Sequence, residues 1–184
     1  AMTINVILNS IAVMLNAPFL NIISKTKNQN NLCVERLNIF APWLMGIFFT
    51  FPLIMFPELG GVIFGKEYAG EQFNQVFIFI LVYTLITMYK QGFARLLVLH
   101  NLQWIALCSN ILWGIGLIGS FILLKSQGAV GLSISYVVSM ALSTVVVFPY
   151  YLKKKYICRQ FVVSSFVITI WGITILIVGL AFLK

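Results

Sequence analysis

Apolar residues in this chain run in long uncharged blocks, with the charged positions confined to short stretches between them. Leu37–Pro57, Phe73–Tyr89, Asn101–Leu124, Ser126–Leu152 and Phe161–Leu183 contain no charged residue. Met2–Ser24 is uncharged too, though Asn5, Asn9, Asn16 and Asn21 interrupt it. A helix needs about 20 apolar residues to cross the hydrocarbon core of a bilayer. Each block meets that length, and in lipid the backbone must satisfy its own polar groups. The pattern predicts an all-α polytopic membrane bundle of six helices, over 2–24, 37–57, 73–90, 101–124, 130–152 and 161–183. They form a single membrane domain over 1–184.

The connecting stretches predict an orientation. The first holds Lys25, Lys27 and Arg36, the third Lys90 and Arg95, and the fifth Lys153, Lys154, Lys155 and Arg159. The second and fourth hold only Lys66 and Lys125. Nine basic residues against two, in alternating loops, place the first, third and fifth in the cytoplasm by the positive-inside rule. Both chain ends would then lie outside. With Ala1 preceding Met2 and no signal peptide, this predicts an odd number of helices upstream of Ala1.

Composition narrows the chemistry further. Mean hydropathy is +1.02 and charged residues make up 9%, against about 25% in soluble domains. The net charge of +8 therefore reads as topology setting, not nucleic-acid binding. Cys33, Cys108 and Cys158 have no metal-ligand spacing, and no Gly-rich phosphate cradle or nucleophile–base pair is present. The sequence predicts no metal, no cofactor and no enzyme, and with Lys90 and Arg95 read as loop residues it offers no ionisable group in mid-span.

Polar and small residues within the blocks fall on defined faces. At 100° per residue, Asn5, Asn9 and Asn16 lie within about 40° of one another. They form either a cavity wall for sugar or phosphate oxygens or a hydrogen-bonding face toward another helix. Gly131, Ser135, Ser139 and Ser143 form a ridge of small residues suited to close helix packing, with Ser109, Trp113, Gly116 and Ser120 on a similar face of the preceding span. Pro42 and Pro57 mark the ends of the second span, and Pro52 an internal kink. Trp43, Trp104, Tyr150 and Tyr151 read as interfacial anchors.

The charged island "ELGGVIFGKEYAGEQF", Glu58–Phe73, follows a proline-bearing span and runs directly into the next. It resembles the Phe-Gly-x-x-Tyr turn in the C-terminal half of polysaccharide flippases, of the O-antigen and teichoic-acid type, in the multidrug/oligosaccharidyl-lipid/polysaccharide exporter superfamily. "NAPFLNIISKTKN", "KSQGAVGLSISYVVS" and "YYLKKKY" resemble that family's preceding helix and basic loop, its outer loop and following helix, and that helix's basic end. The likeness covers most of 1–184, about one lobe of a two-lobe transporter. It implies alternating-access export of a lipid-diphosphate-linked oligosaccharide across the bacterial cytoplasmic (inner) membrane by a multi-pass protein. Its partners would be that substrate, membrane lipids and an N-terminal lobe of the same chain.

Under this reading Asn5, Asn9 and Asn16 line the substrate path. Lys25, Lys27, Arg36, Lys90 and Arg95 supply cations for the diphosphate on the cytoplasmic side, where anionic lipids compete for them. Gly65, Tyr68 and Gly70 form an outward-facing turn or hinge. The alternatives are a membrane enzyme of polysaccharide assembly, such as a polymerase or acyltransferase, and a drug or ion exporter of the same fold.

Overall fold

The computed structural model describes residues 2–14, 18, 21–22, 25, 32–56, 59–65, 70–153 and 170. The described residues form helices and short connections, with no strand. The helices are α1 (Met2–Met14), α2 (Leu32–Met55), α3 (Leu59–Phe64), α4 (Glu71–Leu99), α5 (Gln103–Leu124) and α6 (Gly128–Lys153); a 3₁₀ turn at Lys125–Gln127 joins the last two. The sixth expected span, 161–183, falls outside the described residues except for Ile170.

α4 is the central helix, packed against α1, α2 and α6. From Phe77 to Tyr89 it is apolar on all sides apart from Thr84 and Thr87, because it has neighbours on opposite sides, as expected of an enclosed helix. Phe77, Leu81 and Leu85 pack on Ile54 of α2, while Val82 and Ile86 pack on Met140 of α6. The register follows from the contacts. Asn38 bonds Gly92, and Ile54 packs on Phe77, so α2 and α4 are antiparallel. Tyr83 meets Tyr136 and Lys90 meets Ser143, so α4 and α6 are parallel. Trp104 meets Tyr150 and Gly116 abuts Ser139, so α5 and α6 form an antiparallel hairpin. These directions bring the start of α2, the α4–α5 turn and the end of α6 to one end of the bundle. The α3 region and Lys125–Gln127 lie at the other.

Two stretches are long and apolar enough to cross a membrane, Glu71–Val98 and Gln103–Val146; Phe40–Met55 is a shorter apolar helix. The sequence predicts six such segments. The second stretch contains two of the expected segments, because it folds back at Lys125–Gln127 into helices of about 33 and 39 Å at 1.5 Å per residue. α1 is described over 13 residues, less than a span. α2 is 24 residues long, but its first part carries Glu35 and Arg36.

Several boundaries differ from the sequence expectation. The largest difference is at α4, which continues to Leu99 instead of ending at Lys90. Lys90 and Arg95 are therefore helical residues inside the bundle, not residues of a basic loop. The true stop is Asn101, at φ 56. The Asn101 amide donates to the Val98 carbonyl and the Leu102 amide to that of Leu97, an αL termination that asparagine tolerates better than most residues.

Pro42 lies inside α2 and is fully buried, so it does not mark the helix start; Pro52 is internal, as expected, and Pro57 lies outside the described residues. Trp43 is 7% exposed and packs with Tyr89 and Phe93 in the core, not at an interface. Trp104 is exposed and makes an edge contact with Tyr150.

The ridge on α6 is buried, with Ser135, Ser139 and Ser143 at 0% exposure. Successive members rotate about 40° around the axis. The ridge consequently turns from α5, where Ser139 meets Gly116, toward α4, where Ser143 meets Lys90. In the island, Gly65 takes φ 104, which only glycine adopts without strain. Gly70 caps α4 with extended backbone. Gly60 of α3 sits under an aromatic cluster of Phe64, Phe73 and Phe77, where a Cβ would come 2.9 Å from the Phe73 ring.

Candidate functional site

Two cations in α4 organise the polar interior, and the helix sends them to different sides. Lys90 and Arg95 are five residues apart, about 140° around the axis.

Arg95 turns toward α2 and is 2% exposed. Its Nε donates to Asn38 Oδ1 at 2.7 Å and its Nη2 to the Asn38 carbonyl at 2.9 Å. Asn38 Nδ2 in turn donates to the Gly92 carbonyl at 2.9 Å. The sequence explains why a helical carbonyl is available here. Residue 42 is proline and has no N–H, so the Asn38 carbonyl lacks its usual i+4 donor. Arg95 takes the acceptor that Pro42 leaves open, and a buried backbone group is satisfied.

Lys90 turns the other way, toward α6 and α5. Its Nζ lies 2.8 Å from Ser143 Oγ and 3.8 Å from Met140 Sδ. Among the described residues it meets only these neutral partners. It lines a cavity of about 250 Å³ between α4, α5 and α6, together with Thr87, Gln91, Ser109, Asn110 and Met140. Thr87 returns its hydroxyl to the Tyr83 carbonyl. Ser109 is 3% exposed, and its Oγ is buried without a hydrogen-bond partner among the described residues. The cavity thus offers one ammonium, two side-chain amides and an uncommitted hydroxyl. That donor set suits an anion bearing hydroxyl groups.

The other sequence candidates lie elsewhere. Asn9 donates through Nδ2 to Asn5 Oδ1, one turn back on α1. Asn5 shares the buried face of α1 with Leu8, which packs on Met88 of α4 and Met45 of α2. The pair therefore sits at the α1–α4 seam, while Lys90 faces α6. Asn5 Nδ2 and Asn9 Oδ1 are buried with no partner among the described residues. Lys25 is exposed; for Arg36 only its place in α2 is described; Asn16, Lys27 and Tyr68 lie outside the described residues.

The seam geometry carries a prediction. Asn9→Ala removes one intrahelical side-chain bond, worth about 0.6 kcal/mol on the scale of membrane-protein hydrogen bonds. The expected result is a small drop in melting temperature in detergent with unchanged function. A large functional loss at normal abundance would instead put Asn9 in a substrate path.

Sequence reasoning missed Asn38, Gln91 and Asn110. Asn38 and Asn110 stand inside uncharged apolar blocks, which is the signal that could have flagged them. Among the described residues no group of three or more His, Cys, Asp or Glu side chains comes together to hold a metal. No family model, curated protein or solved structure matches this chain at a significant level.

Proposed function

We propose that the chain is one lobe of a polysaccharide-flippase-type transporter. It carries lipid-diphosphate-linked oligosaccharide across the bacterial cytoplasmic membrane by alternating access. The observation that carries this reading is Lys90. It is a cation within an apolar, span-length helix, has only neutral partners among the described residues, and faces a polar cavity. Ionisable groups inside membrane helices are costly and mark substrate or ion pathways.

Two features support the membrane setting. α5 exposes Leu107, Ile111, Ile115, Ile118 and Ile122 along its length. Soluble monomers rarely leave so continuous an apolar face in water. α4 is about 44 Å long, against about 30 Å of hydrocarbon. Centred in that layer, it puts Arg95 at the boundary and Lys90 about 7 Å beneath it, within reach of a snorkelling side chain.

The test is export in cells carrying the intact transporter. Lys90→Gln keeps a hydrogen-bond donor for Ser143 but removes the charge. Loss of one charge-assisted contact, about 1.5–3 kcal/mol, is expected to lower glycan export about tenfold or more at normal protein abundance. Lys153→Gln, at the exposed end of α6, is expected to leave export unchanged. Full export by Lys90→Gln would sink the proposal.

A further inference from the structure

We infer that the α4–α5–α6 cavity is a lipid-phosphate site: it takes one singly ionised phosphodiester, with a hydroxylated headgroup on its amides and the lipid chain leaving sideways between α4 and α5. The inference rests on the proposed membrane embedding, but not on which cargo is exported.

Among the described residues the cavity holds one cation, Lys90, and Arg95 is committed to α2 on another side of α4. In a low-dielectric site an ion is stable when matched one to one, and surplus charge is penalised. A phosphodiester carries one negative charge near neutral pH; a phosphomonoester or a diphosphate carries more. The remaining donors are placed for oxygen atoms. Ser109 offers a buried hydroxyl without a partner among the described residues, and Gln91 and Asn110 offer amides that both donate and accept. At about 250 Å³ the cavity has room for several waters, at roughly 30 Å³ each, and therefore for more than a bare anion.

The mouth decides between a lipid and a free phosphate. Ala94 and Asn110 are lining residues that are exposed, and so mark the opening on the side of the bundle. Beside them stand exposed apolar side chains, Val98 one turn from Ala94 and Leu107 and Ile111 flanking Asn110. A free phosphate would leave its outer oxygens against these groups. A phosphodiester presents an alkyl chain there instead, and buries apolar surface.

Titration calorimetry on the purified full chain in neutral detergent tests this. The probes are dihexanoyl phosphatidylglycerol, dihexanoyl phosphatidylcholine, farnesyl diphosphate and inorganic phosphate. Saturable one-to-one binding of the phosphatidylglycerol is expected, weakened about tenfold by Lys90→Gln and by Ser109→Val, and unchanged in Lys153→Gln. The phosphatidylcholine, whose own cation competes with Lys90, is expected to bind about tenfold more weakly. If Lys90→Gln does not fold, Asn110→Leu at the exposed rim serves in its place, with the same weakening expected.

Equal binding of phosphatidylglycerol by wild type and these variants would overturn the site. Inorganic phosphate binding as tightly as the lipid would overturn the lipid assignment. Tighter binding of farnesyl diphosphate would overturn the single-charge match and make the cargo diphosphate the occupant. A Lys90→Gln chain that loses phosphatidylglycerol binding yet exports glycan normally would support the lipid site and reject the export reading. Lost export with intact phosphatidylglycerol binding would do the reverse.

Discussion

Asn38→Leu is expected to destabilise the folded chain by about 2–4 kcal/mol, measured by thermal or denaturant unfolding in detergent. Asn38 is completely buried and holds α2 to α4 through its side chain in both directions. Leucine keeps the volume but removes both side-chain bonds. The Arg95 Nε–H loses its acceptor, and the Gly92 carbonyl loses a donor. A hydrogen bond to a charged group is worth about 1.5–3 kcal/mol and a neutral one about 1 kcal/mol, which sets the expected range. Asn38→Asp separates the two contributions. It restores an acceptor for Arg95, now charged, but gives Gly92 no donor. It should therefore recover most of the loss. Pro42→Ala should have a smaller effect, since it supplies an N–H that competes with Arg95 for the Asn38 carbonyl. If Asn38→Leu melts with wild type, the clamp contributes nothing to stability.

Gly131→Val is expected to disrupt the α5–α6 hairpin, with a loss at or above the upper end of the roughly 1–3 kcal/mol typical of overpacking. A Cβ at position 131 would collide with the Leu124 carbonyl oxygen. The obstacle is backbone, so no side-chain rotation relieves it. The turn cannot shift freely either, because Gly128 sits at φ 58 and ψ −126, where a side chain is strained. Gly114 and Gly119 on α5 are the controls, with open space where a Cβ would be. Gly114→Ala and Gly119→Ala should leave stability unchanged or raise it by about 0.5–1 kcal/mol, through reduced backbone entropy of the unfolded chain. Folded yield and melting temperature in detergent check all three. A Gly131→Val chain with normal yield would mean that α5 and α6 do not meet as described.

Much of the helical framework was legible because it depends on local properties. The uncharged blocks over 101–124 and 130–152 match α5 and α6 closely, since an apolar run of that length has few structures open to it. The small-residue ridge from Gly131 to Ser143 announced a close helix contact by spacing alone. Arg36 near the start of α2 and Lys153 at the end of α6 do lie at one end of the bundle, whereas Lys90 and Arg95, expected as the third basic loop, lie within α4. Gly65 was legible as a turn because a positive φ favours the residue without a side chain.

The polar interior was not legible, and α4 shows why. By itself the chain past Tyr89 reads as a loop, since Lys90, Gln91 and Arg95 are expensive to bury alone. Whether a charge can be buried depends on its partners. Those of Lys90 and Arg95 lie 53 and 57 residues away, at Ser143 and Asn38. Tertiary packing supplied Ser143 from the parallel α6 and, from the antiparallel α2, the carbonyl that Pro42 leaves without a donor. It thereby turned an expected basic loop into the end of the central helix. The asparagines of α1 show the same limit. Their shared face followed from the 100° repeat, but their place at the α1–α4 seam followed from which neighbour packed there. Sequence determined the lengths, the turns and the small-residue faces, because sterics and backbone hydrogen bonding act over a few residues. Only the tertiary structure decided which polar groups are satisfied and that Lys90 faces a cavity, because desolvation and hydrogen bonding across the bundle join residues that the chain keeps far apart.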